Sequence, residues 1–124
     1  MSHWTASQAA AIAAPQEVLV VTRRGDGTLR RPTTIWIVRD GERVFIRSTN
    51  GRGAGWFRAA TATGTGQILV GRQTFEVAFT EVTDAEDLAV VDRGYRDKYG
   101  HYASIVDHLE EEGPRSATLL VEPA

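Results

Sequence analysis

Arg47, Ser48, Thr49 and Arg52 put two guanidinium groups and two hydroxyls on one short stretch, threaded with Gly51, Gly53 and Gly55. A phosphate needs several donors converging on one point, and arginine supplies a planar fork of them. The glycines let backbone N–H groups come close, because no Cβ intervenes. A helix starting near Ala54 or Gly55 would add its free N–H groups. On a strand, residues 45, 47 and 49 share a face, so Arg47 and Thr49 point the same way. The same stretch also fits an exposed Gly-rich loop with solvated arginines.

Thr33, Thr34 and Trp36 form a second candidate group. Strand alternation puts Thr34 and Trp36 on one face, where an indole beside hydroxyls can flank a flat heteroaromatic ring. Their plainer reading is core packing for Trp36 and β-propensity for the threonines. Trp56, just past the glycines, has the same two readings, and Arg58 follows it. Tyr95, Lys98 and Tyr99 are dense in acid–base groups at a helix end, either facing a substrate or packing the helix on its sheet. His3, His101 and His108 have no ligand-like partner at helical spacing, so no metal site is expected. The serines lack a nucleophile-elbow context. Gly51-x-Gly53-x-Gly55 matches neither a dinucleotide-binding nor a P-loop spacing.

Whatever these residues do, they sit in one domain, residues 1–124. A formal charge of -2 argues against nucleic-acid binding, which needs a strongly basic surface. Without cysteine there is no disulfide, thiolate metal site or thiol nucleophile, which fits a cytoplasmic protein. No apolar run approaches the roughly 20 residues of a membrane span. The alanine-rich residues 9–14 lack a basic leader and make a poor signal peptide.

Thr5-Ala-Ser-Gln8 predicts a capping box opening a helix over 6–14, stopped at Pro15. Strands follow over 17–23 and 28–38, the second bent at Pro32. A turn at Asp40-Gly41 returns the chain over 43–49. Residues 56–63 suit one or two helical turns ended by Gly64. Strands are expected at 67–70 and 74–82, the latter alternating Phe75, Val77 and Phe79 with polar neighbours. Residues 84–99 form the strongest helix pattern, capped by Asp84, with Leu88, Val91, Tyr95 and Tyr99 on one face. Asp92–Arg96 and Arg93–Asp97 are expected as outer i,i+4 pairs. Residues 101–113 are ambiguous, and 116–122 are a final strand. The order implies a mainly β, α+β fold: an antiparallel sheet closed into a small barrel, with a short N-terminal helix, a short inserted helix and one long helix.

Arg31-Pro-Thr-Thr-Ile-Trp36, Val44-Phe-Ile-Arg-Ser48, Gly55-Trp-Phe-Arg-Ala59 and Tyr95-Arg-Asp-Lys-Tyr-Gly100 carry a resemblance. In this order and spacing the chain resembles the flavin-binding split-barrel superfamily of pyridoxamine 5′-phosphate oxidase. More closely it is similar to the small bacterial family known as domain of unknown function 2255. The resemblance implies a six-stranded antiparallel split barrel, as a homodimer with cofactor sites at the subunit interface. It implies that Thr33, Thr34 and Trp36 border the cofactor ring, while Arg47, Ser48, Thr49 and Arg52 hold its phosphate. Trp56 and Arg58 rank behind them, and Tyr95, Lys98 and Tyr99 are the substrate-side candidates. The cofactor would be FMN or deazaflavin (coenzyme F-420), with haem behind them; some members of the superfamily bind none. The expected function is a flavin-type oxidoreductase acting on a small molecule, or else a non-catalytic binding module or cofactor-free barrel. One departure is that Arg52 is followed by Gly53, where oxidases often carry a basic pair. Another is that the oxidases' basic residue near the ring falls near Val38 or Arg39.

Overall fold

The computed structural model describes residues 3–124. Thr5 and Gln8 close the expected capping box, and α1 spans Ala6–Ala13. β1 (Val18–Thr22) leads through a turn with Gly27 at positive φ to β2 (Thr33–Ile35). β3 (Ile37–Asp40) and β4 (Arg43–Arg47) form a hairpin, with Gly41 supplying the positive φ of 62° at the turn. A short 3-10 turn at Gly51–Gly53 precedes α2 (Gly55–Thr63), which ends in left-handed Gly64. β5 (Thr65–Val70) and β6 (Gln73–Glu81) form a second hairpin. Asp84 caps α3 (Ala85–Tyr99). α4 (Ala103–Leu109), α5 (Glu112–Arg115) and β7 (Thr118–Pro123) follow.

The seven strands form one antiparallel sheet in the order β2-β1-β5-β6-β7-β4-β3. Its two edge strands, β2 and β3, are consecutive in the chain and separated only by Trp36. The sheet therefore curls into a nearly closed barrel whose seam is crossed by covalent backbone. This corrects the expected strand count of six. The predicted run over 28–38 divides at Trp36, one part pairing with β1 and the other with β4. Among the described residues five α-helices form rather than three, since the ambiguous 101–113 segment supplies α4 and the first half of α5.

Ile12, Val20, Ile37, Val44, Ile46, Phe57, Ile68, Val77, Leu119 and Val121 belong to one buried cluster. Val38, Phe45, Val91, Tyr95, Tyr99, Val106 and Leu109 belong to a second, which includes the inner faces of α3 and α4. Neighbouring residues on β3 and β4 thus alternate between two apolar environments, which explains the unbroken Val44-Phe-Ile46 run. Two glycines permit close approach. A Cβ on Gly66 would meet the Val21 carbonyl oxygen, and one on Gly94 would come within 3.2 Å of the Val38 side chain under α3.

The outer ion pairs expected on α3 do not form. Asp92 turns inward to Arg47 and Arg115, and Arg96 reaches Asp107 and Glu110 on α4 and just beyond it. The i,i+4 spacing is present, but for Asp92 and Arg96 these longer-range partners win instead.

Candidate functional site

The break at Trp36 is held open from behind by α3. Tyr95 Oη donates to the Trp36 carbonyl at 3.2 Å. Tyr99 Oη accepts from the Ile37 amide at 3.1 Å and donates to the Gln16 carbonyl at 2.6 Å. These two residues, one helical turn apart, occupy backbone groups that an uninterrupted strand would have paired along a ladder. Burial raises the Tyr95 hydroxyl well above the usual tyrosine range and pushes Tyr99 up to about 12. Both act as neutral phenols.

Beside the seam lies a cavity of about 270 Å3. Thr33, Thr34, Trp36, Arg47, Thr49, Trp56 and Tyr95 line it, all of them singled out from sequence, together with Glu17, Ile35, Asn50, Ile105 and Leu109. β2 delivers Thr33 and Thr34, the end of β4 delivers Arg47, the turn after it delivers Thr49, and the first turn of α2 delivers Trp56.

Arg47 is 1% exposed and, among the described residues, is the one buried charged side chain in the cavity lining. Nη1 donates to Asp92 at 2.6 Å and to the Leu109 carbonyl at 3.0 Å; Nε donates to Thr118 Oγ1 at 2.8 Å. Nη2 has one long contact, 3.4 Å to the Leu88 carbonyl. Asp92 also accepts from Arg115 Nε at 2.8 Å. Two guanidinium groups thus share the Asp92 carboxylate behind this wall, while Glu17 adds a carboxylate to the lining itself.

The other expected phosphate residues are placed differently. Ser48 is 1% exposed, its hydroxyl has no hydrogen-bond partner, and it does not line the cavity. Arg52 points away, donating to Glu81 and to the Ser116 carbonyl, both at 2.7 Å, with its guanidinium over the Phe57 ring. Arg58 lines a separate cleft. Lys98 is also outside the cavity. Its Nζ donates to the carbonyls of Ala13, Pro15 and Ile37 at 2.6–2.8 Å, tying α1, β3 and α3 together. Burial pushes its ammonium down to about 8. Tyr99 stacks behind Trp36 and is likewise outside the lining.

Sequence reasoning missed Glu17, Ile105, Leu109 and the Asp92 partnership. Glu17 and Leu109 come from distant segments with no motif, and Asp92 has a misleading local partner four residues on. His108 was also unassigned; its Nε2 lies 2.7 Å from the Thr49 carbonyl.

A near-closed antiparallel barrel with a polar cavity at the strand break is a split-barrel fold. The chain belongs to the family described as uncharacterized protein conserved in bacteria (DUF2255), whose model matches residues 8–121. A comparison with curated proteins gives no match. Among solved structures, the chain is similar to HutZ, the haem storage protein from Vibrio cholerae (TM-score 0.69, 14% identity, covering 88% of this chain and 82% of that one). It is also similar to an F420-H2 dependent reductase, FDR-A (TM-score 0.65, 17% identity, 86% and 94%). A pyridoxamine 5′-phosphate oxidase-like protein from Listeria innocua is a third (TM-score 0.61, 11% identity, 93% and 87%). At these identities the shared property is the fold.

Proposed function

We propose that the seam cavity holds a flavin-type cofactor, FMN or deazaflavin, and that the protein is an oxidoreductase acting through it on a small molecule. The observation that carries this reading is the cavity itself. It combines a buried Arg47, whose Asp92 partner is shared with Arg115, the hydroxyls of Thr33, Thr34 and Thr49, and the indoles of Trp36 and Trp56. Fixed positive charge suits an anionic or electron-rich ligand, and the indoles suit a flat ring. Among the described residues no histidine, cysteine or methionine lines the cavity and its Tyr95 hydroxyl is engaged by the Trp36 carbonyl, so its donor set fits a flavin-type ring better than haem iron. Resemblance to the F420-H2 dependent reductase favours the deazaflavin arm.

Thr33, Thr34 and Trp36 would border the ring, and Thr49 with Arg47 would face its charged portion. Arg52 joins them only by leaving Glu81, and Ser48 only if the loop opens. A bound ring of this kind supplies hydride-transfer chemistry; the chain supplies position, charge and exclusion of water. The cavity is smaller than the roughly 300–1,000 Å3 of ordinary ligand pockets. In this reading a nucleotide-sized cofactor extends beyond the cavity, and a second copy of the chain would complete the site as a homodimer.

A second reading, a cofactor carrier without turnover, is favoured by one observation. Arg47 and Tyr95 are engaged internally, so Glu17 alone among the lining residues offers an uncommitted acid–base group.

The test is the absorbance spectrum of protein purified from a host that makes both cofactors, followed by titration with FMN and with deazaflavin. A bound chromophore released by denaturation, with stoichiometry fixed by light scattering, supports the cofactor site and its dimer. Turnover with reduced nicotinamide or reduced deazaflavin and an electron acceptor separates enzyme from carrier. A colourless protein that takes up neither cofactor overturns the reading.

A further inference from the structure

On the other side of the α2 start lies an open cleft lined by Arg23, Arg24, Arg30 and Arg58, with Gly25 and the α2 residues Gly55, Ala59, Ala62 and Thr63. No acidic side chain lines it. Residues 55, 58, 59, 62 and 63 fall on one helical face, and all but Arg58 are small, so α2 gives the cleft a flat wall. The opposite face of α2 buries Phe57 and Ala60 in the core.

Three of the four guanidinium groups are held in place, largely by backbone. Arg30 Nη1 donates to the Gly55 carbonyl at 2.6 Å, joining the segment before β2 to the start of α2. Arg24 Nη1 donates to the Leu29 carbonyl at 2.7 Å. Arg23 donates to the Gly27 carbonyl and reaches Glu76 at 3.3 Å. Among the described residues, Arg24, Arg30 and Arg58 have no carboxylate within ion-pair distance. In a chain of net charge -2, this concentrates cationic forks that repel one another. A carbonyl partner orients a guanidinium without neutralising it, and leaves its remaining N–H groups available.

We infer that this cleft is a second ligand site, taking a small anion with at least two separated negative charges, the chemistry shared by a diphosphate and an oligocarboxylate. A single point charge would meet one fork; an extended anion meets several at once, bidentately. The site shares no lining residue with the seam cavity and does not depend on what that cavity holds.

The test is calorimetric titration of the full chain with pyrophosphate and, separately, with propane-1,2,3-tricarboxylate, at constant ionic strength set with chloride. Binding is expected to weaken at least tenfold in Arg58→Gln, which breaks no hydrogen bond in the structure, and further in Arg24→Gln/Arg58→Gln. Arg72→Gln, at the exposed β5–β6 turn, keeps full affinity. Tighter binding of pyrophosphate assigns the site to phosphate esters, and tighter binding of the tricarboxylate assigns it to carboxylate ligands. The inference is overturned if neither anion binds beyond the chloride control, or if Arg58→Gln and the double variant bind as the unaltered chain does.

Discussion

Trp36 lies flat against Tyr99, with ring centroids 4.1 Å apart and planes parallel. The stack joins the residue that interrupts the strand to the helix that satisfies the interruption. Offset-stacked aromatics contribute about 0.5–1.5 kcal/mol beyond burial. Tyr99→Phe keeps the stack but strips the Ile37 amide of its phenol partner, so it should cost about 1–3 kcal/mol. Tyr99→Leu loses both and should cost more. Urea melts of the two variants decide this; an unchanged midpoint in Tyr99→Phe refutes a strand break held by the phenol.

Arg47→Met should destabilise the fold by about 3 kcal/mol, the low end for removing one partner of a buried ion pair, because Asp92 retains Arg115. Adding Asp92→Asn should recover part of the loss. Equal stability of Arg47→Met and the unaltered chain in denaturant would show that the pair contributes nothing. By contrast, Arg52→Ala breaks an exposed pair and should cost under about 1 kcal/mol.

Lys98 makes stability depend on pH in a defined direction. Its folded value of about 8 lies below the ordinary 10.5. Between those values the unfolded chain binds the proton and the folded chain releases it, so stability rises with pH across that window. The contribution is fully present above 10.5 and is lost as pH falls through 8. Lys98→Met should abolish this slope, while lowering stability throughout because three carbonyls lose their donor. Parallel stability–pH curves for the two proteins between pH 8 and 10.5 would contradict the assignment.

Gly66→Ala should destabilise by about 1–3 kcal/mol or more, since the new methyl group meets the Val21 carbonyl and the Phe79 ring edge at 2.9 Å. Gly53→Ala, with nothing within 4 Å, is the control. Similar thermal midpoints for both would show that β1 and β6 can give way.

Much of the fold is readable where the signal is local. The Thr5–Gln8 box, the Gly41 and Gly64 turns and the Phe75/Val77/Phe79 alternation each depend on residues a few positions apart. The break at Trp36 is not readable, because Pro32 is the visible disruptor while the phenols that stabilise the break lie some sixty positions away. The cavity residues were legible as types suited to an anion and a ring. What could not be read is which arginines are already committed: Asp92 and Glu81 claim Arg47 and Arg52 from across the barrel.

β7 has a consequence for how the chain folds. It alone pairs β2-β1-β5-β6 with β4-β3, and it also accepts the Trp4 indole N–H on the Val121 carbonyl at 2.8 Å. The β3–β4 and β5–β6 hairpins need only short loop closures and can form independently. Joining them requires Phe45 to find Leu120, and Ala78 to find Glu122, across long stretches of chain. Closure entropy of that kind slows folding, so docking of β7 should be the late, rate-limiting event. Until then both hairpins expose unpaired edges, and the interval before β7 docks is when copies of the chain are most exposed to pairing wrongly with one another.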